Sequence, residues 1–116
     1  MSSSNGSSGV AAALLVSPEV RVPAVGVIIL RGSVDIADAP RLNAELDGRL
    51  AVGTQVLVID VGEVQLIDSA ALGVLAAAAQ HLQHDRSGSM VLRNASARLL
   101  AQLRLMRLDH VFEVEI

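Results

Sequence analysis

Short β-type apolar runs, separated by stretches long enough to form a helix, recur through this chain, and that alternation restricts its fold more than any other feature. Gly26–Arg31 is a clear β run, and Leu14–Arg21 is an earlier, weaker one interrupted by Pro18. Val56-Leu57-Val58-Ile59 is apolar without alternation, as expected of a strand covered on both faces, and Asp60 ends it. Met90–Leu92 is a short strand, and Phe112–Ile116 alternates like an edge strand with one wet face. Between these lie helical patterns. Asp38 is a good N-cap with Ala39 and Pro40 in the first turn, followed by Leu42, Leu46 and Leu50 on one stripe. An Ala/Leu helix runs from Asp68-Ser69 to about Leu82, and Asn94–Met106 carries Leu99, Leu103 and Met106 on one side.

The order is therefore β-β-α-β-α-β-α-β, an α/β fold. Strands alternating with helices imply parallel pairs joined by right-handed crossovers. We expect one domain over residues 12–116, with a mixed, largely parallel central sheet covered by helices. Val27–Leu30 and Val56–Ile59 should be adjacent central strands. Residues 1–11 are mostly Ser, Gly and Asn with little to bury, and are expected to be a disordered tail.

Composition excludes several chemistries. Among the 116 residues there is no Cys, so disulfides and thiolate-held metals are absent. All nine basic residues are Arg, and without a Lys there is no P-loop, no kinase strand lysine and no Schiff base. A phosphoacceptor site at Asp60 of the response-regulator kind fails on the same ground. The net charge of −3, with scattered basic residues, argues against a nucleic-acid partner. No apolar run is long enough to cross a bilayer and no signal-like segment opens the sequence, so the expected location is the cytoplasm, without membrane attachment. His81 and His84 stand three apart near a helix end, with only Asp85 nearby; they read as solvated imidazoles that suit the helix dipole. No cofactor or metal is expected.

What remains is the strand–turn–helix around Leu66–Leu75. Ser69, or Asp68 beside it, stands where an N-cap belongs, ahead of helix N–H groups that carry partial positive charge. An Asp-Ser pair there serves simply as a cap, or its hydroxyl carries a phosphate that those N–H groups help hold. Ala70–Ala79 is almost wholly apolar and mostly small, which fits either deep burial or an exposed strip offered to a partner. Between Arg49 and Arg86 there is no basic residue, while Asp60, Glu63, Asp68 and Asp85 lie there, with Asp35 and Asp38 in a loop expected at the same end of the sheet. A hydrolase elbow would need small Gly positions flanking the serine, and Ile67-Asp68-Ser69-Ala70-Ala71 has none.

The segments Leu30–Asp35, Val56–Asp60 and Ile67-Asp68-Ser69-Ala70-Ala71-Leu72-Gly73-Val74-Leu75 resemble the STAS domain, specifically the bacterial anti-sigma factor antagonists, and Asn94, Leu108-Asp109 and Phe112 are spaced similarly. The resemblance spans about Val16 to Ile116. It implies a non-enzymatic regulator that binds an anti-sigma factor of the serine-kinase type, freeing a sigma factor for transcription. Phosphorylation at Ser69 would switch binding off and a phosphatase would restore it. The implied docking face comprises Asp35, Asp68, Ser69, Ala70, Ala71, Leu72 and Gly73. The family commonly has Gly where this chain has Ala71, a methyl expected either to obstruct the close approach of a kinase or simply to favour the helix by about 1 kcal/mol. A monomer or weak dimer is expected. The alternatives are a standalone STAS subunit of a lipid-transport ABC complex and a constitutive, unphosphorylated binding module.

Overall fold

The computed structural model describes residues 24–115. Strand β1 (Val25–Val34) leads through a 3-10 turn (Ile36–Asp38) into helix α1 (Ala39–Ala51). Strand β2 (Val56–Ile67), helix α2 (Ser69–Arg86), strand β3 (Ser89–Arg93), helix α3 (Ala97–Leu105) and strand β4 (Glu113–Glu115) follow. The four described strands form one sheet in the order β1-β2-β3-β4, every pair parallel. The earlier strand expected at Leu14–Arg21, which would make the sheet mixed, lies outside the described residues, as does the 1–11 tail.

A sheet whose strands follow one another in chain order, joined by right-handed crossovers, places every crossover helix on the same side. The core shows this. Ile28, Leu57, Ile59, Val61, Met90 and Leu92 from alternate strand positions form one buried cluster with Leu42 and Leu46 of α1, Leu75, Ala79 and Leu82 of α2, and Leu99 and Leu103 of α3. Leu50 packs at its margin. The opposite face was expected to be covered as well, and in β1 it is not: Val25, Val27 and Ile29 are 62%, 40% and 47% exposed. Among the described strands, β2 alone has a centre buried on both faces, where Val58 lies between Val27 and Val91 of its neighbours.

Several boundaries depart from expectation for one physical reason. Asp60 does not end β2. The strand continues to Ile67 beside β1, with register shifts between Ile29 and Arg31 and between Gly32 and Ser33. Because the second face is largely open, polar residues are tolerated in mid-strand. Asp60 stays half-buried there, accepting from the Gly62 N–H and the Asn94 amide, and Glu63 pairs with Arg31 at 3.3 Å. Helix α2 runs a turn past Leu82 on exposed polar residues and stops at Ser87, whose left-handed backbone lets the Gly88 N–H reach the Leu82 carbonyl. Helix α3 is shorter than expected: Asn94 has positive φ, and Ser96 is the cap, its hydroxyl accepting from the Leu99 N–H at 3.0 Å.

Candidate functional site

The loops after β1 and β2 both leave the carboxyl end of the parallel sheet, which is where ligands and partners of open α/β folds are usually met. Asp68 joins them. One carboxylate oxygen, Oδ1, accepts from the Ala71 N–H at 2.9 Å and so caps α2. The other, Oδ2, accepts from the Ile36 N–H at 3.0 Å. The Asp68 N–H in turn donates to the Val34 carbonyl at 3.1 Å. One residue thus fixes the start of α2 against the loop that carries Asp35.

That loop is held just as tightly from within. Asp35 Oδ1 accepts from the Ala37 N–H at 2.9 Å, and Asp38 Oδ2 accepts from the Asp35 N–H at 3.0 Å, a reciprocal cap around the 3-10 turn. Asp38 was expected to cap α1, but its side chain makes no such bond; it turns back to Asp35 and out to Arg41. The result presents Ile36 to solvent, 70% exposed, beside the start of α2. Ile36 escapes the sequence reading, because a lone Ile after a strand looks like the strand's last apolar residue.

Ser69 is the first residue of α2 and is exposed. Among the described residues its hydroxyl makes no hydrogen bond, since Asp68 does the capping. Gly73 and Ala77 continue the exposed line at one-turn spacing, with Ala70 and Val74 half-buried beside it. This is a shallow strip of small side chains, framed by Asp35, Asp38 and Ile36.

Two expected members of the docking face lie elsewhere. Ala71 and Leu72 are 0% and 1% exposed and point into the core beneath α2. Their positions serve packing, and the Ala71 methyl is enclosed in the core, out of reach of a docking partner. The acidic neighbourhood is also smaller than the sequence suggested. Asp35, Asp38 and Asp68 gather at Ser69, but Glu63 pairs with Arg31 and Asp60 sits under Asn94 further back along the sheet. Asp85 is near the far end of α2, about 24 Å along the helix from Ser69, and lies 2.9 Å from Nδ1 of His81. Among the described residues no group of three His, Cys, Asp or Glu converges to hold a metal ion, and no helix is long and apolar enough to cross a membrane.

A family model described as "Mlab, STAS domain" matches residues 19–114. A comparison with curated protein sequences found no match. Among solved structures, an anti-sigma factor antagonist from Mycobacterium paratuberculosis is 24% identical with a TM-score of 0.69, covering 81% of this chain and 79% of that one. The Bacillus cell fate determinant SpoIIAA in its phosphorylated form is 16% identical with a TM-score of 0.61, covering 78% and 81%. A sulfate transporter family protein from Wolinella succinogenes is 20% identical with a TM-score of 0.65, covering 84% and 83%. At these identities the likeness is one of fold.

Proposed function

The chain belongs to the STAS family, and we propose that within it this protein acts as an anti-sigma factor antagonist switched by phosphorylation at Ser69. The observation that carries the reading is the division of labour between Asp68 and Ser69. Because Asp68 alone caps α2 and ties down the neighbouring loop, the exposed Ser69 hydroxyl is dispensable to the fold and open to modification. The strip of Ser69, Gly73 and Ala77, with Ile36 at its edge, supplies a surface on which a protein can dock closely and exclude water.

In this reading the unmodified strip binds an anti-sigma factor of the serine-kinase type. The partner's kinase activity transfers the terminal phosphoryl group of a nucleoside triphosphate to the Ser69 hydroxyl, releasing the nucleoside diphosphate and a proton, and a phosphatase hydrolyses the ester to serine and inorganic phosphate. The phosphate brings about 1.5 to 2 negative charges to a place already bordered by Asp35, Asp38 and Asp68. Helix N–H groups can hold that charge in the free domain. Docking would have to dry it without a matching cation, at a cost of several kcal/mol. The regulator itself needs no catalytic group, and its site carries no base paired with the serine among the described residues.

Titration of the wild type, Ser69→Ala and Ser69→Glu against a candidate kinase-type anti-sigma factor tests the switch. Ser69→Ala should bind nearly as well as the wild type, and Ser69→Glu about a hundredfold more weakly. Equal affinities for all three would reduce the protein to a constitutive binding module. A second reading, a standalone STAS subunit of a lipid-transport ABC complex, is favoured by the name of the matching family model, Mlab. Co-purification with a membrane-bound ATPase, insensitive to Ser69→Glu, would select it.

A further inference from the structure

Strand β2 outruns its neighbour. It pairs with β1 along its whole length to Ile67, but β3 accompanies it only from Val56 to Asp60. Beyond that point the edge of β2 facing away from β1 has no strand beside it among the described residues. Helix α3 lies there instead, and the Gln102 side-chain amide donates to the Ile67 carbonyl at 2.9 Å, taking a bond that a further strand would otherwise make. Between the overhang and the helix runs an open groove of about 430 Å³. Its floor includes the buried Val61, Ile67 and Leu99, while Leu66 and Leu105 stand at its lips, 52% and 86% exposed.

Charge identifies the occupant. From Asn94 to Leu108 the chain carries Arg98, Arg104 and Arg107 and no carboxylate, although its net charge is −3. All three arginines are exposed and without a carboxylate partner among the described residues, whereas Arg31, Arg41 and Arg93 each have one, and Arg49 and Arg86, which have none, are half-buried. Arg98 lines the groove itself, where the remaining polar lining groups are neutral. We infer that the groove between the β2 overhang and α3 docks a short apolar segment of a partner protein that carries Asp or Glu beside its apolar anchors. The apolar residues would bury against Leu66 and Leu105, and the carboxylates would meet Arg98, the arginine that lines the groove. A strand edge and a concave wall fit a peptide; a lipid surface would ask for a convex one. The Ser69 strip is neutral to acidic, so the two surfaces select different partners, or different parts of one.

Selection of displayed random peptides on the whole chain tests this, with each recovered peptide then titrated against variants. The expected winners combine Leu, Ile or Phe with Asp or Glu and shift the backbone resonances of Leu66, Leu99 and Leu105. They should lose about tenfold or more in affinity for Leu105→Asp and for Arg98→Glu, and bind Ser69→Glu as they bind the wild type. Both substituted side chains are solvent-exposed, so circular dichroism should show an unchanged fold. Recovery of no binders, of binders without acidic residues, or of binders indifferent to Leu105→Asp would overturn the inference. So would sedimentation of the wild type with phosphatidylglycerol vesicles that Leu105→Asp abolishes, which would make the groove a membrane contact.

Discussion

The carboxylate of Asp68 serves two elements at once, and its neighbour Ser69 serves neither, so substitutions at the two positions should part company. Asp68→Ala removes both the cap on α2 and the bond to the Ile36 N–H, and should cost about 2 kcal/mol. Ser69→Ala should stay within about 0.5 kcal/mol, as an exposed residue without a structural bond does. Urea denaturation of the two variants checks the pair, and a Ser69→Ala loss as large as that of Asp68→Ala would make the hydroxyl structural. Asp60 offers a separate test through pH. The Gly62 N–H first, then the Asn94 amide, hold its carboxyl below the ordinary aspartate value of 3.8. A carboxyl depressed on folding contributes stability that is present above the unfolded value and is lost as pH falls through the folded one. The stability advantage of the wild type over Asp60→Asn should therefore shrink with acidification below that range, and a constant difference would argue against it. The position of Ser69 at a helix start was legible in the sequence, because Asp-Ser before an apolar run is a local signal. The second bond of Asp68 was not, since nothing local says which distant N–H will arrive there.

At the scale of elements, the leucines of α1 were readable because Leu42 and Leu46 repeat at helical spacing on an otherwise polar segment. Helix α2 gave no such contrast. With alanines on nearly every side, its sequence cannot tell the buried Ala71 from the exposed Ala77, and only the packing against the sheet separates them. The same blindness made Asp60 look like a strand end, when the open sheet face merely permits a carboxylate there. The exit from α2 yields a prediction that is equally local. Ser87 holds φ at +52°, a conformation that costs a residue with a Cβ about 1 kcal/mol, so Ser87→Gly should stabilise by about 0.5 to 1 kcal/mol. Gly88 next to it passes so close to β2 that an added Cβ would collide with the Gln55 backbone carbonyl, which itself accepts from the Ser89 N–H to start the β2–β3 pairing. Gly88→Ala should therefore cost about 1 to 3 kcal/mol. Thermal unfolding should shift upward for the first variant and downward for the second; a rise in both would mean that β3 can move aside freely.

For the whole molecule, the direction of winding decides which half of the sheet is core. Strand order following chain order puts α1, α2 and α3 together on one face, and the carboxyl-end loops then meet where two of the crossovers begin. Ser69 and Asp35 are neighbours for that reason, although 34 positions separate them in the sequence. The same winding leaves β1 with a wet side, so two isoleucines near each other in the sheet should behave very differently. Ile59 is fully buried beneath the helices, and Ile59→Ala should cost about 2 to 5 kcal/mol through lost transfer energy and the cavity left behind. Ile29, on the opposite side of the sheet and 47% exposed, has little contact to lose and leaves no enclosed void, so Ile29→Ala should cost about 1 kcal/mol or less. Urea denaturation midpoints of the two variants, compared at a common slope, measure the contrast. Costs of similar size would mean that the Ile29 side of the sheet is a second covered face, and that the chain buries a core on both sides.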